Sequence, residues 1–211
     1  MTLLVPRHQG AAADLATFAR RVARFEADAA IRIVADGAVA GCFAETPFDA
    51  LALRAVALAE PLAADVVVEA GTLAARAVGT NGEVELPPAL PALRWTSSLP
   101  PRSGWTELTR LSGVEVAARV AEGVEEFRGR APDATAGSAL REGRAALETL
   151  AAEIWDRELA AGIPLRLAHA AESYGFLGPG DVVLRGVGPW WRLDAPYGSI
   201  LARGGLALFA L

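Results

Sequence analysis

The residues of this chain best suited to chemistry fall near its end. His169, Glu172 and Ser173 are three and four apart, so a helix carries them on one face. Trp190, Trp191, Arg192, Asp194 and Tyr197 follow closely. An imidazole oriented by a carboxylate can serve as general acid or base. An exposed tryptophan beside a fixed cation can form a platform for a ligand or a hot spot for a partner. The same residues also admit a structural reading, in which the helix packs on the strand, His169 caps a backbone carbonyl and Arg192 pairs with a carboxylate. His169, Glu172, Trp190, Trp191 and Arg192 are therefore candidate binding residues, and no catalytic residue is assigned.

Other motifs fall away on context. Ala171-Glu172-Ser173-Tyr174-Gly175 approaches the serine-hydrolase pattern, but its serine ends a helix, whereas that chemistry needs a strand followed by a tight turn. Gly175 reads better as a helix stop. Gly186-Val187-Gly188-Pro189 has no helix behind it, so it is a hairpin turn and not a phosphate loop. Cys42 sits in an alternating apolar segment and reads as a small core residue. With two histidines and one cysteine far apart, no zinc site is expected, and no cofactor is assigned. Lysine is absent, since all 20 basic residues are arginine. That excludes a Gly-Lys-Ser/Thr phosphate loop and a Schiff-base lysine.

The elements that must position the candidate residues follow from periodicity. In the second half, Val116, Val120, Val124 and Phe127 mark a helical stripe, with Ser112 and Glu115 at capping-box spacing. Ser138 caps a longer helix with Leu140, Leu147, Leu150 and Ile154 on one face. Gly162 ends it, and Pro164 opens the short helix that carries His169 and stops at Gly175. Short β segments follow over 182–185, 190–193 and 199–202, with an apolar end at Leu206–Leu211. The domain is helical and closes with a small antiparallel sheet.

The first half is a mixed α/β-sheet domain. A strand at 2–6 leads into a helix over 11–25, with Leu15, Phe18, Val22 and Phe25 on one face. Strands at 30–35 and 39–44 are joined at Asp36-Gly37, which reads as a hairpin. Strands at 51–58 and 65–69 follow, then a helix from Thr72 to Val78, a turn at Thr80-Asn81-Gly82, and a strand at 83–86. Asp65-Val66-Val67-Val68-Glu69 followed by Leu73-Ala74-Ala75-Arg76 looks like the strand-then-helix step of a bacterial sliding clamp. The element order over Met1–Leu86 resembles one clamp domain; the resemblance implies a fold and carries no function.

Pro87, Pro88, Pro91, Pro100 and Pro101 interrupt both patterns, and Trp95 and Trp105 predict a strap docked on a surface. The expected organisation is α+β: an N-terminal α+β domain at 1–86, a Pro-rich strap at 87–105, and a helical domain with a C-terminal sheet at 106–211.

Composition narrows the function. The Ala-, Gly-, Pro- and Arg-rich usage fits a G+C-rich bacterial genome. No apolar run reaches the roughly 20 residues of a membrane span. A start without a signal pattern and a single cysteine predict a cytoplasmic protein with no membrane partner. Net charge is −5, with 9 arginines against 11 acids in residues 1–104 and 11 against 14 in residues 105–211. Neither half is basic, so nucleic acid is not the expected partner. The leading expectation is a binding or protein-interaction protein whose partner is another protein or, as a homodimer, a second copy. A small-molecule enzyme using His169 as general acid or base is the first alternative, and a winged-helix-like DNA reader the second.

Overall fold

The computed structural model describes residues 2–77, 82–131 and 140–204. The turn residues Thr80 and Asn81, the helix end Val78, the cap Ser138 and the apolar end Leu206–Leu211 lie outside them. The architecture is α+β. The chain divides into two units, the first holding residues through Arg102 together with Gly198–Leu201, the second holding Ser103–Tyr197 and the chain from Ala202.

In the first unit, Leu3–Leu4 (β1) pairs with Val84–Glu85 (β4), and Gln9–Phe25 forms α1. Leu15, Phe18 and Val22 of α1 are buried, whereas Phe25 is exposed and meets Phe48 edge-on at 6.0 Å. Ala30–Glu45 (β2) and Leu51–Glu69 (β3) form one long antiparallel hairpin, and Ala70–Arg76 (α2) follows directly. The start of Gly198–Arg203 (β10) adds to the far side of β3, with Ile200 opposite Ala52.

Asp36-Gly37 is not the hairpin turn that the sequence suggested. β2 runs through it, and the chain reverses at Thr46–Ala50. Gly37 has φ +86° and the register shifts between Gly37 and Val39, where Ala38 alone stands against the four β3 residues 58–61, so the extra residues of the bulge lie in β3 and the glycine marks a break in alternation on β2. Its consequence is visible in burial. Ile31, Ile33 and Ala35 face the core before the bulge, and Ala40, Cys42 and Ala44 after it. Buried positions on β2 change from odd to even numbers, so without this break in alternation the second set would face solvent. Pro61 is tolerated in β3 because residues 58–61 form the bulge, where β2 offers no register partner.

The Pro-rich segment belongs to the first unit as far as Arg102. Leu90 N–H donates to Val67 O at 2.7 Å, a 3₁₀ turn spans Ala92–Arg94, and Trp95 is buried with its indole N–H on Ser97 O. One oxygen of Glu45 accepts from Thr96 N, Thr96 Oγ1, Ser97 N and Ser97 Oγ. Burial pushes the Glu45 pKa up, but the Ser97 and Thr96 hydrogen bonds together outweigh it and hold the carboxyl below its usual value. A depressed carboxyl stabilises above its unfolded pKa of about 4.3 and loses that contribution as pH falls through the folded value. At neutral pH trypsin should cut wild-type protein slowly at Arg94 and Arg102. Glu45→Ala should be cut there several-fold faster, and equal rates would mean that this carboxylate does not hold the strap.

In the second unit, Thr106–Ser112 (β5), unforeseen in the sequence, pairs with Asp181–Val187 (β8), which pairs with Trp190–Ala195 (β9). Gly113–Arg130 (α3), Leu140–Trp155 (α4) and Arg166–Ser173 (α5) are its helices. Val116, Val120, Ile154, Leu167, Val182, Leu184 and Leu193 are buried. Ser112 does not cap α3 through its side chain. β5 runs straight into that helix, and Gly113 N–H is taken by Gly180 O at 3.0 Å.

The segment between α4 and α5 also differs from expectation. α4 ends at Trp155, and Glu158–Ala160 (β6) pairs with Ile163–Pro164 (β7). Ala161 and Gly162 both have positive φ and form the two-residue turn between them. Gly162 therefore makes a hairpin, and Pro164 lies in its short strand, where a missing donor is tolerated. Gly175 does stop α5: it has φ +61°, its N–H donates to Glu172 O, and Phe176 N–H donates to Ala171 O.

Candidate functional site

α5 holds His169 through a regular helical hydrogen bond, His169 N–H to Leu165 O, and packs against β9. The imidazole is half-buried and stacks on Trp155 at the end of α4, with ring centroids 3.9 Å apart and planes 5° from parallel. Gly123 on α3 also comes close to that indole: a Cβ there would lie 2.8 Å from the Trp155 ring. Trp155 thus touches α3 near Gly123 and α5 through His169, and it links α3, α4 and α5. Burial pushes the His169 pKa below its ordinary value, which favours the neutral imidazole at pH 7. Glu172, one turn further along, is exposed.

The β9 candidates have their own neighbours. Trp190 is buried and the Arg203 guanidinium lies over its ring at 5.8 Å. Trp191 is half-buried on the opposite face of the strand, and a Cβ on Gly204 would come within 2.9 Å of its indole. Arg192 lies over the Trp105 ring at 5.7 Å, and its Nε donates to Asp194 at 2.6 Å. The second Asp194 oxygen accepts from Arg185 at 3.0 Å. Arg185 and Arg192 are direct partners across β8 and β9, so Asp194 offsets the repulsion of two opposed cations. His169 takes Trp155 as its ring partner, while Trp190, Trp191 and Arg192 are engaged with Arg203, Gly204 and Trp105.

Sequence reasoning passed over Trp155, which lies 14 positions before His169 with a hairpin between them. One signal was present: Gly123, in the middle of a helical stripe, marks a position where another element comes close. Glu45 was missed for a similar reason, since its partners come from the strap more than 50 residues away.

Cys42 is fully buried, and desolvation pushes its thiol up to about 12, so the nucleophilic thiolate is not populated at neutral pH. Among the described residues no group of three or more His, Cys, Asp or Glu could hold a metal ion, and no helix is long and apolar enough to cross a membrane. An open cavity of about 330 Å³ lies in the first unit, lined by Thr2, Val66, Arg76, Glu85, Pro87 and Pro88 among others.

Residues 100–207 match the family described as Domain of unknown function (DUF8185). The chain belongs to this family. Residues 1–97 match a second one, Domain of unknown function (DUF8010), so the family boundary falls in the Pro-rich segment. No curated protein matches the sequence. Among solved structures the chain is similar to the sliding clamp (DNA polymerase III subunit beta) from Bartonella birtlesii bound to griselimycin, at 14% identity and a TM-score of 0.54, over 99% of this chain and 66% of that one. Caulobacter crescentus pol III beta gives 12% identity and a TM-score of 0.55, over 96% and 65%. The DNA polymerase III subunit beta from Pseudomonas aeruginosa gives 10% and 0.54, over 99% and 66%. The DUF8185 chain therefore spans just under two thirds of the clamp chains it matches. At these identities the likeness shows the fold. It covers both units, whereas the sequence carried the resemblance over Met1–Leu86 alone.

Proposed function

We propose that this protein works by holding another protein and performs no chemistry of its own. The observation that carries the reading is the shared fold, whose structural neighbours are named as a sliding clamp and as a subunit of DNA polymerase III. A subunit of that kind acts through surfaces, and this chain offers surfaces more readily than a reactive site. Its thiol is buried, and its half-buried histidine is stacked on a tryptophan.

Duplex DNA is not the partner that the charges favour. Most described arginines hold a carboxylate, among them Arg32 with Asp65, Arg54 with Asp14, Arg119 with Glu115, Arg130 with Glu153 and Arg157 with Glu126. A cation already paired releases few counterions on meeting a phosphate. Random-sequence duplex DNA should show no appreciable binding at physiological salt. A micromolar complex that weakens steeply with added salt would sink this expectation and promote the winged-helix-like DNA-reader alternative.

Native mass spectrometry of protein purified from the cells that make it tests the main reading. The expected species is a complex with a second polypeptide, either a different protein or a second copy. A second reading, the small-molecule enzyme, is favoured by one observation: burial keeps His169 in the neutral form that a general base requires. A retained small molecule that disappears in His169→Ala, with no polypeptide partner, would establish that reading in place of the first.

A further inference from the structure

We infer that the cavity of about 330 Å³ in the first unit binds a small, uncharged ligand that carries a carboxamide on a flat apolar body. The decisive juxtaposition is Arg76 beside Glu85, a donor and an acceptor set side by side against a proline wall. The inference goes beyond the partner-holding reading and does not depend on it.

The walls come from separate parts of the chain, each tied down. Arg76 ends α2, which continues directly from β3, the strand that supplies Val66. Glu85 is on β4, opposite Leu3 of β1, and Thr2 stands next to that pair. Residues 86–89 then cross the cavity with a hydrogen bond at either end, Leu86 N–H to Thr2 O at 2.9 Å and Leu90 N–H to Val67 O at 2.7 Å. Pro87 and Pro88 fix φ along this span and give it no N–H donor. Backbone already ordered in this way takes little from a ligand's binding energy. The volume falls at the lower end of the roughly 300–1,000 Å³ typical of small-ligand sites.

The polar groups select the chemistry. Arg76 Nη1 donates to Glu85 Oε1 at 2.9 Å and to Leu86 O at 3.4 Å. Among the described residues Arg76 has no further hydrogen-bond partner, which leaves the donors on Nε and Nη2, and Glu85 Oε2 is left as an acceptor. A carboxylate ligand would suit Arg76 but be repelled by Glu85, and a cation would meet the reverse. A carboxamide suits both, its oxygen accepting from Arg76 and its NH₂ donating to Glu85. Its neutrality matches a pair whose charges cancel. The apolar body follows from Val66, Leu86, Pro87 and Pro88, whose side chains offer no polar group.

Benzamide, benzoate and benzamidine share one ring and differ in their donor and acceptor pattern, while acetamide has the carboxamide without the ring. Each is titrated into the full isotope-labelled chain, with backbone amides and arginine Nε–H groups followed by NMR. Benzamide should give saturable shifts at Arg76 Nε–H and at the amides of Glu85 and Ala89. It should bind about tenfold or more tighter than the other compounds. Arg76→Met should remove this binding with an unchanged melting temperature. Glu85→Gln should shift the preference by about tenfold toward benzoate, because the repulsion is gone, whereas a mere packing defect would weaken both compounds alike. If Arg76→Met does not fold, the Glu85→Gln comparison decides alone. Benzoate, benzamidine or acetamide binding wild type as tightly as benzamide would overturn the proposal. So would an unchanged preference in Glu85→Gln, or the absence of saturable shifts at these residues.

Discussion

Gly113→Ala should destabilise the second unit by about 3 kcal/mol or more, well above the ordinary cost of a surface substitution. The reason is a close approach of backbone to backbone. A Cβ at position 113 would lie 2.1 Å from Gly178 O and 2.4 Å from Gly180 O. Neither oxygen ends a flexible side chain that could swing away. Gly180 O also accepts Gly113 N–H, and next to it Ser112 pairs with Asp181. Relief of the clash therefore means opening the junction of β5, α3 and β8. Gly129→Ala on the same helix supplies the contrast. Nothing lies within 4 Å of its Cβ position, so alanine there should stabilise by about 0.5–1 kcal/mol through helix propensity alone. Urea unfolding of the two variants beside wild type measures both signs. A Gly113→Ala loss below about 1 kcal/mol would show that the 178–180 loop gives way easily and does not clamp the start of α3.

That junction also shows what the sequence could convey. Ser112-Gly113-Val114-Glu115 was legible as a helix start, and the stripe at Val116 and Val120 was legible as its buried face, because both are local patterns within a few residues. β5 was not legible. Its residues alternate weakly, and it becomes a strand by pairing with β8, 69 to 80 positions away. The same division explains the long hairpin. Alternation identified pieces of β2 and β3, but Asp36-Gly37 has the same composition in a hairpin turn and in a bulge. The distinction lies in β3, whose residues 58–61 supply the extra length of the bulge. For the candidate site, the sequence placed His169 and Glu172 on one helix and the tryptophans on a strand. It could not assign ring partners, since those follow from how α4 returns through the β6–β7 hairpin.

Trp155→Ala should cost about 3 kcal/mol and His169→Ala about 1 kcal/mol, with the two losses falling short of additive by about 0.5–1.5 kcal/mol. Trp155 is half-buried, which places its loss at the lower end of the range for a buried tryptophan. It nevertheless contacts α3 near Gly123 and α5 at His169, so alanine removes packing from both helices. His169→Ala removes one face of the stack and leaves Trp155 seated on α3. The histidine also leaves a pH signature that a packing defect lacks. Burial lowers its folded pKa, so the unfolded chain takes up a proton first as pH falls. Its contribution is fully present above the unfolded value of about 6.5 and is lost as pH falls through the lower folded value. Wild-type stability should therefore decline as pH falls from about 7 to 5, a window above the range in which most carboxylates titrate. His169→Ala should be flat across that window. The decline should be accompanied by a change in tryptophan fluorescence, because a charged imidazole stacked at 3.9 Å alters the environment of the Trp155 indole. Equal pH dependence in wild type and His169→Ala would show that the histidine titrates alike in the folded and unfolded chain, contrary to its half-buried position on α5 against Trp155.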